Sequence, residues 1–166
     1  MKIERIMLTK IVKLDNLVQK MNALRGEGQR IVFTNGCFDI LHVGHVRYLA
    51  AAKAEGDVLI IGLNSDESVR FIKHKNRPLV SQNHRAEVLA SLECVDYITI
   101  FDEPDPLELI QSLKPDVLVK GADWKEKDII GADVVKARGG KIVRVPVVPD
   151  ISTSKLIQKI IESSNL

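Results

Sequence analysis

Apolar and polar positions along the chain follow two alternating rhythms. Unbroken apolar runs stand at Ile31-Val32-Phe33, Val58 to Leu63, Val95 to Phe101, Val117 to Val119 and Ile142 to Val145. Short runs of this kind, bounded by glycine, proline or charge, predict strands buried on both faces of a parallel sheet. Between them the apolar spacing turns helical. Leu17, Val18, Met21 and Leu24 form one set, and Val43, Val46, Leu49 and Ala50 a second. Val88, Leu89 and Leu92 form a third, Leu109, Ile110 and Leu113 a fourth, and Leu156, Ile157, Ile160 and Ile161 the last. Two short helices, over 67–72 and 131–137, complete the series. Gly26 with Gly28, Gly56, Pro115 and Gly139-Gly140 supply the stops, and Ser81 and Asp105-Pro106 the starts. Strand and helix alternate with no repeat and no linker. This predicts one α/β domain, a five-stranded parallel sheet with helices on both faces and right-handed crossovers. Residues 1–29 read as an N-terminal arm and helix, and residues 30–166 as the main domain. Residues 1–12 read as a loosely docked arm. The helix from Asp15 is expected to lie over the sheet or to serve a subunit contact.

Composition narrows the class without changing the architecture. A chain of 166 residues, 45% apolar and 28% charged, has the profile of one globular domain with a good core. The net charge of +2 is too small to argue for nucleic acid or an acidic membrane surface as a partner. Charges interrupt the first 16 residues, so no signal core forms, and no run reaches membrane-spanning length. A cytoplasmic protein with no membrane partner is expected. Cys37 and Cys94 match no metal spacing and are expected to be reduced thiols. Cys37, inside the turn described next, reads as a small buried filler rather than a reactive thiol.

The candidate chemistry centres on Thr34 to His45, TNGCFDILHVGH, which runs from the first strand through a tight turn into a helix. His42 and His45 are three residues apart and so share one face of the first helical turn. Gly44 between them lets a ligand approach the backbone. The free N–H groups and positive dipole end of a helix start favour anions, and two imidazoles add donors suited to a polyphosphate. Neither GxxxxGK[ST] nor a GxGxxG after the first strand is present.

Other candidates fall at the carboxyl ends of predicted strands, where open parallel sheets bind ligands. Asn64-Ser65-Asp66 can contact a ligand, cap the next helix, or both. In the loop 73–80, Lys73, Lys75 and Arg77 can face phosphate or form a solvated charge run. Arg85, in the first turns of its helix, can face phosphates or solvent. Lys120, Gly121 and Asp123 read as site residues, because a lysine ending a buried strand is costly unless paired. Ser152, Thr153 and Ser154 open the last helix; they can cap it, and they are favoured as a second anion-binding helix start.

Taken together, TNGCFDILHVGHVRYL, NSD at 64–66, RP at 77–78, LVKGADW at 118–124, GG at 139–140 and STSK at 152–155 occur in this order. From about residue 14 onward the chain resembles the heptose 1-phosphate adenylyltransferases, a branch of the HxGH nucleotidyltransferase superfamily. The resemblance implies a Rossmann-like domain that transfers AMP from ATP to a sugar 1-phosphate and releases pyrophosphate, with Mg²⁺ accompanying ATP. It implies a stand-alone form supplied by a separate kinase, and a homodimer is the expected assembly. His42 and His45 would stabilise the phosphates, with Lys120 as a further catalytic group. Thr34, Asn35, Gly36, Phe38, Gly44, Ser152, Thr153 and Ser154 would hold the nucleotide, with Lys155 helping. Asn64, Asp66, Arg77, Arg85, Gly121 and Asp123 would meet the substrate. Asp39 would orient a histidine or support the turn. No protein metal cage is evident. STSK departs from the more usual STT followed by a neutral residue and leaves the anomer open. The alternatives in the same superfamily are a glycerol-3-phosphate cytidylyltransferase and an FMN adenylyltransferase. A non-catalytic nucleotide sensor is the alternative from another class.

Overall fold

The computed structural model describes residues 8–73 and 76–164, so Lys75 and the first seven residues of the expected arm lie outside the described residues. Helix α1 (Leu14–Gly26) leads into strand β1 (Ile31–Gly36), followed by α2 (Val43–Lys53), β2 (Val58–Asn64), α3 (Asp66–Ile72) and α4 (Gln82–Ala90). Then come β3 (Tyr97–Phe101), α5 (Leu107–Leu113), β4 (Val117–Gly121), a 3₁₀ turn (Glu126–Asp128), α6 (Ala132–Ala137), β5 (Lys141–Val145) and α7 (Thr153–Ser164). Among the described residues the sheet has five strands, all parallel, in the order β3-β2-β1-β4-β5.

Side chains alternate across each strand, and this separates two apolar layers. Val32, Leu59, Ile61, Leu63, Ile98, Val117 and Val119 face one layer, covered by Leu49 and Ala52 of α2 and Ala86, Leu89 and Ala90 of α4. Ile31, Phe33, Val58, Ile60 and Leu118 face the other, covered by Leu17 and Met21 of α1, by Leu109, Ile110 and Leu113 of α5, and by Val135 of α6. The apolar face of α1 is thus used as cover for the sheet. Arg25 at its end donates to the carbonyls of Leu113 (2.8 Å) and Lys114 (3.1 Å), tying it to the end of α5.

Three local expectations change. Part of the arm is fixed rather than loose: Ile98 N–H donates to the Lys10 carbonyl and Val12 N–H to the Ile98 carbonyl, both at 2.8 Å. The arm thereby pairs with β3, the sheet's edge strand, whose unpaired backbone groups would otherwise face water. Strand β3 starts at Tyr97 rather than Val95, because Val95 N–H bonds back to the Leu92 carbonyl in the turn that leaves α4. Ser81 sits at the cap position of α4, yet its hydroxyl makes no cap bond. Among the described residues no helix is long and apolar enough to cross a membrane.

The strand order places the site. From β1 the chain steps outward through β2 to β3, then returns to the other side of β1 with β4 and β5. The loops leaving β1 and β4 therefore diverge, and a crevice opens between them at the strands' carboxyl ends.

Candidate active site

The turn leaving β1 carries the histidine pair. Phe38 adopts a left-handed φ of 45°, and His42 is extended at the cap position of α2. The rings of His42 and His45 stack with centroids 3.8 Å apart and planes 21° from parallel. Phe38 closes one side, edge-on to His45 at 5.2 Å. A Cβ on Gly44 would lie 2.9 Å from the His42 ring, so glycine is what allows that ring to fold over the helix start. Nδ1 and Nε2 of His42 and Nδ1 of His45 are buried without a partner. Unpartnered buried nitrogens are costly, and a ligand that accepts or donates there would recover that cost. Burial lowers the pKa of His42. It pushes His45 down to about 4, helped by its neighbour His42 and opposed by the Ile40 carbonyl. Both rings are therefore neutral at pH 7.

Across the crevice, Lys120 stands next to the last residue of β4, and its ammonium donates to the Asn35 side-chain oxygen of β1. Burial lowers its pKa to about 8, with Asp123 opposing the shift. The ammonium also lies 5.6 Å from the centre of the Trp124 ring. Asp123 folds back over Gly121, where a Cβ would stand 2.3 Å from its Oδ1. Behind this pair, the Tyr48 hydroxyl hydrogen-bonds the Thr34 hydroxyl (2.7 Å) and donates to the Val119 carbonyl (3.0 Å), joining α2 to β1 and β4.

Helix α7 starts at the same crevice. Ser152 Oγ accepts from Lys155 N–H at 3.2 Å, which caps the helix. Thr153 Oγ1 donates to the Ile40 carbonyl at 3.4 Å, setting this start beside the histidine turn. Lys155 turns instead to Asp150, at 3.1 Å, and is exposed.

On the β2 side, Ser65 Oγ accepts from Ser68 N–H and caps α3, and Asn64 Nδ2 donates to Ser68 Oγ at 2.9 Å. Arg85 is buried at 1% exposure and does not face solvent. Its nitrogens donate to the carbonyls of Val80 (2.9 Å), Cys37 (2.6 Å) and Asn64 (2.8 Å) and to Asp66 Oδ1 (2.8 Å). It is a strut between loops, and Asp66 is its partner. Among the described residues Asp39 hydrogen-bonds no histidine; it holds the loop of Arg77, Leu79 and Val80.

These parts enclose a cleft of about 700 Å³. Asn35, Gly36, Phe38, His42, Gly44, His45, Asn64, Arg77, Lys120, Gly121, Asp123, Ser152, Thr153 and Ser154 all line it. Thr34, Asp66 and Arg85 do not line it and act from behind its walls. Lys73 and Cys37 are also at the wall; Cys37 is half-buried rather than a fully buried filler, and burial pushes its thiol up, against the pull of Lys73. Sequence reasoning passed over Tyr48 and Trp124 as lining residues. Tyr48 was detectable as a polar-tipped aromatic three residues after His45, on the same helical face. Among the described residues no group of three or more His, Cys, Asp or Glu side chains converges on a metal position.

A parallel sheet with paired histidines on a helix start at its switch point, facing a second polar helix start, defines a nucleotidyltransferase. The chain belongs to the cytidylyltransferase-like family, whose pattern matches residues 33–159. It is 52% identical to the bifunctional protein HldE of Geobacter metallireducens over 93% of its length and 31% of that protein. It is 48% identical to HldE of Citrifermentans bemidjiense over 93% of its length and 32% of that protein. The chain spans about a third of the length of these curated relatives. Among solved structures it resembles the lipopolysaccharide core biosynthesis protein of Thermoplasma volcanium GSS1, with a TM-score of 0.58 and 27% identity over 73% of this chain and 98% of that one. Pantoate-beta-alanine ligase from Francisella tularensis shares the fold, with a TM-score of 0.61 at 20% identity over 92% of this chain and 78% of that one.

Proposed function

We propose that the protein transfers AMP from ATP to D-glycero-D-manno-heptose 1-phosphate, giving ADP-heptose and pyrophosphate. The observation that carries this reading is the stacked His42–His45 pair, with three unpartnered ring nitrogens, beside the hydroxyl-bearing start of α7. A sugar phosphate oxygen attacks the α-phosphorus of ATP. The new P–O bond forms as the bond from the α-phosphorus to the α–β bridging oxygen breaks, and pyrophosphate leaves. The attacking oxygen is already anionic at neutral pH, so no protein nucleophile is needed. The protein's part is positioning and charge stabilisation. His42 and His45 donate to the phosphates as charge builds on the leaving group, and Ser152, Thr153 and Ser154 hold its far end. Lys120, fixed by Asn35, adds a positive charge.

Mg²⁺ would arrive on the triphosphate, whose oxygens would hold it, and would neutralise part of its charge. A reaction that consumes ATP suits the cytoplasm. The test is pyrophosphate release with Mg²⁺, crossing ATP and CTP with both heptose 1-phosphate anomers, glycerol 3-phosphate and FMN. Release with ATP and one heptose anomer supports the reading. Release with CTP and glycerol 3-phosphate, or with ATP and FMN, moves the protein to a neighbouring branch. ATP binding without turnover on any acceptor would make it a sensor.

A further inference from the structure

Asp39 lies in the histidine turn, directly after the left-handed Phe38, and its side chain is 1% exposed. Both of its oxygens are occupied by the loop that follows α3. Oδ1 accepts from Leu79 N–H at 2.8 Å and Val80 N–H at 2.9 Å. Oδ2 accepts from Leu79 N–H at 3.0 Å and from Arg77 Nε at 2.5 Å. Burial disfavours the carboxylate, but the two N–H groups and the Arg77 guanidinium outweigh it and hold its pKa below the ordinary value. Arg77 is thus gripped by Nε alone. Its two terminal nitrogens have no partner among the described residues, and the side chain lines the cleft. A guanidinium held at Nε presents its terminal nitrogens as a fork, which matches the oxygens of a phosphate.

The topology sets which phosphate the fork meets. Ser152 to Ser154 approach from the β5 side and the histidines stand over β1, whereas Arg77 comes from the β2 side. With the triphosphate between the histidines and α7, the place in front of Arg77 is left for the other substrate.

We propose that Asp39 is a positioning residue that aims the free fork of Arg77 at the phosphate monoester of the acceptor. This rests on the reading of the cleft given under Proposed function. Because Asp39 shares its turn with His42 and His45, the contact also fixes the distance between acceptor and donor sites. The histidine turn and the acceptor loop move as one piece.

The experiment is calorimetric titration of the full chain with D-glycero-D-manno-heptose 1-phosphate, without ATP, for wild type, Asp39→Asn, Arg77→Met and the double variant. A parallel titration with ATP is made for each. Asp39→Asn keeps an oxygen for Leu79 and Val80 and removes the charge beside Arg77. Each single variant is expected to weaken sugar phosphate binding about tenfold, the scale of one hydrogen bond to a charged group. Affinity for ATP should change less than about threefold, well under that scale. In the Arg77→Met background, Asp39→Asn should add nothing, because a residue acting only through Arg77 has nothing left to position. Additive losses, an equal loss for ATP, or wild-type sugar phosphate affinity in Asp39→Asn would overturn the proposal, as would a wild-type protein that does not bind the sugar phosphate. If the binding pattern holds but pyrophosphate is never released, the proposed reaction fails and the positioning role stands.

Discussion

The imidazoles of His42 and His45 lie face to face, 3.8 Å between centroids, with three of their four nitrogens buried and unpartnered. Burial disfavours charge on both rings, and His42 disfavours it further on His45. Replacing either by alanine is expected to lower turnover by about 10² or more, the scale of losing one charge-stabilising donor. Single-turnover rates of pyrophosphate release measure this. Wild-type rates in both variants would remove the pair from the mechanism.

A bound triphosphate reverses the electrostatics of these rings, since nearby negative charge favours their protonated forms. Nucleotide binding should therefore take up protons, increasingly as the pH falls from about 7 to 5.5, below the ordinary imidazole value. Calorimetry of ATP binding in buffers of different ionisation enthalpy reads the uptake, and His42→Ala with His45→Ala should abolish it.

The same depression sets an acid limit on stability. The unfolded chain protonates His45 near its ordinary value of 6.5, while the folded chain resists until about 4. Stability should then be lost as the pH falls through this window. Urea titrations at several pH values should show the slope, and His45→Gln should flatten it.

Lys120 titrates in reach of working pH. With a folded pKa of about 8, its charge in the free protein fades above that value. An alkaline limb in kcat/KM, which reports the free enzyme, is expected near pH 8. Lys120→Arg should move that limb upward, because guanidinium stays charged. For stability the sign is opposite to that of activity. Between about 8 and the ordinary 10.5 the unfolded chain holds a proton the folded chain has released, so this group favours folding increasingly as pH rises.

Arg85→Met should cost about 3 kcal/mol or more of folding stability, because it strands buried carbonyls and the partner Asp66. Arg77→Met should cost less, because the N–H groups of Leu79 and Val80 still satisfy the Asp39 carboxylate that it leaves. Urea midpoints compare the two. A stable Arg85→Met protein that has lost only substrate affinity would return Arg85 to the site.

Strand and helix order, the two apolar layers and the histidine turn were legible because each depends on local periodicity. Alternating burial in Ile31-Val32-Phe33 and Val58 to Leu63 follows from strand geometry, and His42 and His45 share a face because helices repeat every 3.6 residues. Arg85 was not legible as a strut: an arginine early in an amphipathic helix looks the same whether it meets water, phosphate or carbonyls. Its partners Cys37 and Asn64 lie 48 and 21 residues away. Lys10 to Val12 were too short a stretch to be read as sheet, and the open edge of β3 gives them their sheet pairing.

The sequence by itself determined the architecture, the histidine turn and most of the polar side chains that line the cleft. It did so because hydrophobic periodicity and helix-start chemistry act over a few neighbouring positions. The tertiary structure alone decided which polar side chains face the cleft and which brace it, and that Asp39 grips Arg77 from 38 positions away. Hydrogen-bond partners across such separations are set by the packing of the whole sheet, and no local pattern carries that information.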